Sequence, residues 1–286
     1  MKMEKFKLEV FKPDLDKKIS DAIRILKIAE RQAEQFNEPV EIAFSGGKDS
    51  SVLLDLAKKA NINFRAIYKN TTIDPVGTKK FVMQNNVEIR NPKMSFFKLI
   101  EKKGYPSFNR RFCCASLKEY KILNVCCTGV RKSESVKRKN TYKSFESCRI
   151  YNKKERVRMY YPILEFTNED IKNYINRYNI QCAPIYYDDK GVFHVERRLG
   201  CIGCPLQSDR GKQDFKENPK ILRAWLKAGG KYIQTHKLRF NNEYEAFLCA
   251  VFFKSYDDYL KSITGGIFED SYNAKQKLQE YFNIKF

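Results

Sequence analysis

Strand-like and helix-like segments alternate along the first two thirds of the chain. Residues 14–36 carry apolar side chains at helical spacing, which predicts an amphipathic helix ahead of the core. Apolar patterns then predict strands over 40–44, 64–68, 87–89, 124–130 and 160–164, and helices over 51–60, 78–84, 95–102, 114–121 and 168–178. Strands that alternate with helices predict an α/β fold with a doubly wound, mostly parallel sheet that helices cover on both faces.

Two stretches depart from this alternation. Residues 131–158 are polar, basic and aperiodic, so we expect a loop there. Beyond Pro205 the pattern is helical and lacks clear strands, which predicts a smaller helical C-terminal region. Thr167 or Asn168 is the predicted N-cap of the helix over 168–178.

Composition is consistent with a protein that buries a sizeable core. The chain has 286 residues, of which 42% are hydrophobic and 14% aromatic. It contains no run of 18 apolar residues, so no membrane span is expected. The first residues, MKMEKFKLEVFKPD, lack the continuous apolar region of a signal peptide, and we therefore expect a cytoplasmic protein.

Basic residues are concentrated in one part of the chain. The formal charge is +21, and residues 102–158 hold 17 Lys and Arg against 4 Glu, which is +13 of that total. This segment favours a polyanionic partner, with nucleotide phosphates as the minimal candidate and nucleic acid as the larger one. A solvated basic surface is the alternative.

A glycine-rich turn joins the strand over 40–44 to the helix that follows. Gly46 and Gly47 allow close approach of the backbone to an anion, and Lys48 adds a point charge. The first amides of the helix point at the same place, and the helix dipole favours negative charge there. Hydroxyl donors are available from Ser45, Ser50 and Ser51. The turn lacks the Walker spacing, yet it predicts a phosphate cradle in preference to an ordinary strand-to-helix turn.

Four of the nine cysteines form two pairs that suit a metal centre. Cys201 and Cys204 have Cys-x-x-Cys spacing, and Cys113 and Cys114 are adjacent at a predicted helix start, where they diverge by about 100°. Four thiolates suit a [4Fe-4S] cluster or zinc, and free or redox-active thiols are the third reading. The adjacent pair at 126–127 lies in a predicted buried strand and is expected to pack in the core.

Several ordered motifs resemble the sulfonucleotide (phosphoadenylyl-sulfate, PAPS) reductase-like family of the adenine nucleotide α-hydrolase superfamily. They are Ser-Gly-Gly-Lys-Asp-Ser at 45–50, Asn-Thr-Thr-Ile-Asp-Pro at 70–75, Arg-Arg-Phe-Cys-Cys at 110–114, Thr-Gly-Val-Arg-Lys-Ser-Glu-Ser at 128–135 and Gly-Cys-Ile-Gly-Cys-Pro at 200–205. The resemblance covers residues 38–210 and implies a nucleotide-binding domain there, between a helical segment at 1–37 and the helical region at 211–286.

The resemblance also implies a ligand and a set of site residues. The superfamily cleaves ATP between its α- and β-phosphates, or binds adenylyl sulfates. Nucleotide-binding positions would be Phe44, Ser45, Gly46, Gly47, Lys48, Asp49, Ser50, Ser51, Lys69, Asn70, Gly129 and Arg131. Catalysis would fall to Lys48, Asp49 and Arg131, with Mg²⁺ bridging the phosphates and Arg131 reaching a phosphate or sulfate. By the same resemblance, Cys113, Cys114, Cys201 and Cys204 would hold a [4Fe-4S] cluster.

One departure from the family leaves the reaction open. Reductases of this family carry a nucleophilic cysteine in a Glu-Cys-Gly-x-His segment near the C-terminus, and here the last cysteine, Cys249, lies in an apolar helical stretch. The first hypothesis is an enzyme that activates or transfers sulfur through adenylation, with nucleic acid as a candidate acceptor and a sulfur or electron donor protein as a partner. The alternatives are an adenylyl-sulfate (APS) or PAPS reductase with an unconventional nucleophile, and a non-catalytic module that senses nucleotides or binds nucleic acid.

Overall fold

The computed structural model describes residues 14–151, 155–236, 239–264 and 273–286. Most of the N-terminal stretch in which we sought a signal peptide, residues 1–13, lies outside the described residues, as do residues 152–154 of the basic segment. Among the helices of the described ranges, none combines the length and the apolar character that a membrane crossing needs.

Six strands form one mostly parallel sheet. They are β1 (Val40–Ala43), β2 (Phe64–Lys69), β3 (Glu88–Arg90), β4 (Val125–Cys127), β5 (Glu146–Tyr151) and β6 (Glu155–Tyr160). Their order is β3-β2-β1-β4-β6-β5. Strand β1 runs parallel to both β2 and β4, β4 runs parallel to β6, and β5 runs antiparallel to β6. The predicted α/β fold is therefore confirmed.

Helices precede, connect and follow these strands. They are α1 (Leu15–Glu34), α2 (Lys48–Ala60), α3 (Thr78–Met83), α4 (Phe96–Lys103), α5 (Phe112–Leu117), α6 (Val136–Thr141), α7 (Asn168–Tyr178), α8 (Lys212–Glu217), α9 (Pro219–Thr235), α10 (Glu243–Phe252), α11 (Tyr256–Thr264) and α12 (Ala274–Phe282). Short 3₁₀ turns span Lys132–Glu134 and Pro184–Tyr186. Beyond residue 205 the described chain is helical, as predicted.

Local capping fixes the start of α7. The Thr167 hydroxyl accepts a hydrogen bond from the Asp170 amide at 3.1 Å, and the Asp170 carboxylate accepts one from the Thr167 amide at 2.7 Å. This reciprocal pair satisfies two amides that the helix itself leaves unpaired. Thr167 is thus the N-cap, one of the two predicted residues.

The prediction of a loop over 131–158 is wrong. This stretch contains the first 3₁₀ turn, α6, β5 and β6. In β6 the buried Val157 and Met159 alternate with the exposed Arg156 and Arg158. The alternation of a strand is therefore present, but the many charged residues of the segment obscure it in the sequence. Strand β5 lies at the sheet edge with mostly exposed side chains, and such edges commonly carry charged residues. The strand predicted over 160–164 is also wrong, because β6 ends at Tyr160 and residues 161–164 form no strand.

The chain divides into two compact units whose segments alternate along the sequence. The first comprises residues 1–67, 85–88 and 122–198, and the second comprises 68–84, 89–121 and 199–286. In the second unit Trp225 is 1% exposed, and its ring lies 5.0 Å from Phe96 and 5.1 Å from Phe215 between ring centres. The domain boundaries at residues 37 and 210 stay a prediction.

Candidate functional site

The phosphate loop, residues 45–50, lies where the strand order of the sheet reverses. From β1 the chain continues to β2 and β3 on one side and then returns to β4 on the other. Ligands of open α/β sheets bind at the carboxyl ends of the strands at such a switch point. Because β1 and β4 are parallel neighbours, the phosphate loop and residues 128–131 both follow the carboxyl ends of their strands and lie at the same end of the sheet.

The backbone of the loop depends on one of its two glycines. Gly46 has φ +80°, a left-handed conformation that side-chain-bearing residues rarely adopt. Gly47 has φ −76° and ψ 156°, which other residues adopt readily, and it caps α2, whose first residue is Lys48. Gly46 therefore makes the turn, and Gly47 allows close approach at the helix start.

Hydroxyl groups hold the loop in this conformation. The Ser50 hydroxyl donates to the Gly47 carbonyl at 2.8 Å and accepts from the Ser45 amide at 3.2 Å. The Ser45 hydroxyl lies 3.1 Å from that of Ser50 and accepts from the Gly47 amide at 3.2 Å. Ser50 and Ser51 are buried, whereas Ser45 is exposed. The serines thus pre-form the loop, and Ser45 is the one that faces solvent.

Lys48 is buried within the phosphate loop, and its charge is only partly balanced. The residue is 5% exposed, and its ammonium lies 3.4 Å from the Asp49 carboxylate. It also donates to the Arg197 carbonyl at 3.3 Å and lies 5.2 Å from the centre of the Tyr186 ring. Burial lowers the pKa of Lys48, the Asp49 carboxylate opposes this shift, and Arg131 adds to it. A nearby anion would stabilise the charged ammonium.

Arg131 is 1% exposed, and protein groups occupy its guanidinium. Its Nε donates to the Asp49 carboxylate at 2.7 Å, which makes a buried ion pair between α2 and the segment after β4. The terminal nitrogens donate to the Ser133 hydroxyl at 2.7 Å, the Asn168 side-chain oxygen at 2.9 Å and the Phe166 carbonyl at 3.2 Å. In this arrangement Arg131 holds Asp49, and a direct contact of Arg131 with phosphate stays a prediction.

Gly129 and Phe44 support the loop through packing. A Cβ atom on Gly129 would lie 3.1 Å from the backbone of Asp49, so a glycine allows the segment after β4 to approach the start of α2 closely. Phe44 is 3% exposed, and its amide donates to the Ile67 carbonyl at 3.0 Å. Both residues lie at the predicted place, where their visible role is to shape the site.

Sequence reasoning missed other residues around Lys48 and Arg131. Tyr186 and Arg197 contact Lys48, while Ser133 and Asn168 accept hydrogen bonds from Arg131. Arg198 lowers the pKa of Lys48 and donates to the Glu134 carbonyl at 2.9 Å. Ser133 lies inside the motif at 128–135, whereas nothing in the sequence signals the long-range contacts of Tyr186 and Arg197.

Lys69 and Asn70 belong to the second compact unit. The Lys69 ammonium lies 5.7 Å from the centre of the Tyr120 ring. The Asn70 side chain donates to the Asn91 side-chain oxygen at 2.9 Å and accepts from the Thr72 amide at 2.9 Å. Their contact with a nucleotide stays a prediction.

The two predicted cysteine pairs line one cavity of the second unit, which we call the cysteine cavity. Cys113, Cys114, Cys201 and Cys204 all contribute to its wall, together with Lys118. Cys113 and Cys114 lie in the first turn of α5, as the sequence predicted. Cys126 and Cys127 instead lie in β4 with exposures of 2% and 0%, which confirms their place in the core.

A specific turn shapes the second cysteine pair. Gly203 has φ +73°, and a Cβ atom there would lie 2.3 Å from the Phe215 ring, so this position requires glycine. The Gly203 amide donates to the Asp214 carboxylate at 2.8 Å, and the Cys204 amide donates to the Cys201 carbonyl at 3.2 Å. The turn is therefore built around the Cys201–Cys204 pair.

The surroundings of the cysteine cavity shift the pKa values of its thiols in opposite directions. Burial raises the pKa of Cys201, and the Lys118 ammonium partly offsets this. A hydrogen bond with Cys113 lowers the pKa of Cys114, and the same contact raises the pKa of Cys113. Asp74, a residue that sequence reasoning did not single out, lies 4.0 Å from the Cys201 sulfur.

In the described part of the chain, no three His, Cys, Asp or Glu side chains are placed so that they could hold one metal ion. The [4Fe-4S] cluster, zinc and Mg²⁺ therefore stay predictions. A cluster differs from a single ion because each thiolate binds its own iron, so its four thiolates stand farther apart than four thiolates around one zinc.

His194 forms hydrogen bonds with two carboxylates of its own loop. His194 lies 3.0 Å from the Asp188 carboxylate and 2.9 Å from the Glu196 carboxylate. These hydrogen bonds raise the pKa of His194, with the Asp188 contact as the larger cause. They explain His194 as part of a local loop network.

Two archaeal relatives resemble the chain over most of its length. Uncharacterized protein MJ0973 of Methanocaldococcus jannaschii is 28% identical over 232 residues, which cover 75% of this chain and 53% of the relative. Uncharacterized protein MJ0066 of the same organism is 26% identical over 224 residues, covering 72% and 44%. The chain therefore spans about half the length of the curated relatives that it matches.

Two solved structures show low similarity to this chain. Phosphoadenylyl-sulfate reductase from Candida auris, in its phosphate complex, has 17% identity and a TM-score of 0.43, covering 65% of this chain and 93% of that chain. FMN adenylyltransferase from Candida glabrata has 12% identity and a TM-score of 0.46, covering 66% and 62%.

Family membership rests on the sequence match. A model of the phosphoadenosine phosphosulfate reductase domain matches residues 39–207, which is more than half of the chain. The matched range contains the phosphate loop, Arg131 and both cysteine pairs. The chain belongs to the phosphoadenosine phosphosulfate reductase domain family.

Proposed function

We propose that the chain binds ATP or an adenylyl nucleotide at the phosphate loop. The observation that carries the proposal is the position of the phosphate loop, with its buried Lys48, at the switch point of the sheet. An anion there meets the amino end of α2, a helix of 13 residues whose dipole favours negative charge. Membership in a nucleotide-related family supports the same ligand.

The proposed reaction is the activation or transfer of sulfur through adenylation, with a nucleic acid as candidate acceptor and a donor protein as sulfur or electron source. An acceptor atom attacks the α-phosphorus of ATP, the bond to the bridging oxygen breaks, and pyrophosphate leaves with the electron pair. Lys48 stabilises the charge that develops on the phosphates. Arg131 acts through Asp49, which it holds at the start of α2.

Within residues 45–50, the side chains offer little to a magnesium ion. One oxygen of Asp49 accepts from Arg131, and the other lies 3.4 Å from the Lys48 ammonium. Two cations thus balance the only carboxylate of the loop. Mg²⁺ commonly binds through substrate phosphates and a few carboxylates, so the nucleotide itself would bring most of the ligands.

The cysteine cavity suits an iron–sulfur cluster in its donor chemistry. It presents four cysteine side chains, and Lys118 in its wall offsets the negative charge of thiolates. We propose that Cys113, Cys114, Cys201 and Cys204 hold a [4Fe-4S] cluster, which would supply redox or sulfur chemistry when bound. The proposal for the nucleotide site is independent of this cluster.

Product analysis separates the candidate reactions. The anaerobically purified chain is incubated with ATP and a mixture of RNA and DNA as candidate acceptors, and separately with adenylyl sulfates, while pyrophosphate and sulfite are measured. Pyrophosphate from ATP, lost in Lys48→Ala, is the expected result. Sulfite from an adenylyl sulfate would instead identify a reductase. Nucleotide binding without either product would leave a non-catalytic nucleotide-binding module and would contradict the proposed reaction.

A further inference from the structure

Two open cavities of the second unit lie side by side, next to the cysteine cavity. One has a volume of about 390 Å³ and the other about 530 Å³. They share Ser107, Ala250, Phe253 and Lys254 in their walls. The larger one also shares Pro205 with the cysteine cavity. We call these two cavities together the basic groove.

The wall of the basic groove carries positive charge and no described carboxylate. Arg110, Arg210 and Lys254 line it, and no Asp or Glu is among its described lining residues. Backbone carbonyls hold the two arginines, because Arg110 donates to Lys103 at 2.7 Å and Arg210 donates to Phe253 at 2.7 Å. Each guanidinium has five N–H donors, so most of its donors remain for a ligand. The groove is therefore complementary to an anion.

Aromatic side chains lie among these cations. Phe108 and Leu206 both line the larger cavity, and they are 60% and 41% exposed. The smaller cavity adds Tyr232, Phe240 and Tyr256. Exposed aromatic rings beside cations are the arrangement on which single-stranded nucleic acids bind, because bases stack on the rings while phosphates meet the cations.

We propose that the basic groove binds a single-stranded polynucleotide, RNA or DNA. Its phosphates pair with Arg110, Arg210 and Lys254, and a base stacks on Phe108. An acidic peptide would satisfy the charges but lacks bases to stack. A small ligand is usually enclosed by its pocket, whereas this groove is open over two successive cavities. The role of the strand as sulfur acceptor rests on the proposed function, but its binding does not.

Binding is measured by fluorescence anisotropy with labelled oligouridine RNA and oligothymidine DNA of about 12 nucleotides, using the full chain without ATP. Phe108→Ala is expected to weaken binding about 5- to 100-fold through the loss of one stacked base. Lys254→Ala is expected to reduce the slope of log Kd against log salt by about 0.7. Phe108 and Lys254 are exposed, so neither change should unfold the chain.

Matched controls are available in the same unit. Lys227 and Val76 are exposed and line neither cavity, so Lys227→Ala and Val76→Ala should each change Kd less than twofold. Absence of strand binding, equal binding of a polyglutamate peptide, or unchanged binding in the Phe108→Ala/Lys254→Ala variant would overturn the proposal. Strand binding that persists while ATP yields no pyrophosphate would contradict the proposed function and leave the groove supported.

Discussion

Replacing Arg131 with methionine should destabilise the chain through the loss of one defined set of hydrogen bonds. The guanidinium is 1% exposed and donates to Asp49, Ser133, Asn168 and Phe166 at distances of 2.7 to 3.2 Å. Methionine fills similar space but provides no donor. Removing one partner of a buried ion pair costs about 3–5 kcal/mol. Because the Asp49 side chain is 17% exposed, water solvates part of the remaining charge, and we expect about 3 kcal/mol.

A double-mutant cycle isolates the ion pair from the other hydrogen bonds. Urea unfolding followed by circular dichroism is measured for Arg131→Met, Asp49→Asn and the double variant. Since asparagine removes the unpaired carboxylate, the double variant should lose about 1–2 kcal/mol less than the sum of the single losses. ATP affinity should fall to a similar extent in both single variants, because Arg131 acts through Asp49. A loss below about 1 kcal/mol in Arg131→Met, or strictly additive losses, would refute this reasoning.

Three further predictions concern the loop and the cysteines. Gly46→Ala should weaken ATP binding about 5- to 30-fold, since φ +80° disfavours a side chain by about 1–2 kcal/mol and the loop would shift, as calorimetry can measure. The lowered pKa of Lys48 predicts that ATP affinity is highest while the ammonium is charged and falls as pH rises through the Lys48 pKa of the bound state; an equally steep fall in Lys48→Ala would contradict this. Cys201→Ser should abolish the brown absorbance that a cluster gives the anaerobically purified chain; a colourless wild type with stoichiometric zinc would rule out the cluster.

Much of the fold follows from local pattern. The strand at 40–44, the glycine turn and the helix after it appear as β1, the phosphate loop and α2, because apolar periodicity and glycine chemistry are local properties. The hairpin of β5 and β6 was missed for the opposite reason. Its buried face has few apolar residues. Only Val157 and Met159 alternate with arginines in β6, which is too short a pattern to show the two-residue period of a strand.

The site was less accessible to sequence reasoning than the fold. The sequence predicts Arg131 as an anion ligand. In the structure its side chain is buried, and the β1–β4 pairing brings Asp49, 82 positions away in sequence, beside it. The contacts of Lys48 with Tyr186 and Arg197 also depend on tertiary structure. A motif names the residues of a site, whereas their partners follow only from the folded chain.

Calorimetric titration of ATP and of adenylyl sulfate into the wild-type chain and Lys48→Ala tests the central claim most directly. Lys48 is a buried residue of the phosphate loop and the first residue of α2. If the loop is the phosphate site, the wild type binds at least one of these nucleotides, and Lys48→Ala binds it at least tenfold more weakly, about 1.4 kcal/mol. Equal affinity of the two proteins for the nucleotide, with Lys48→Ala folded, would contradict the claim.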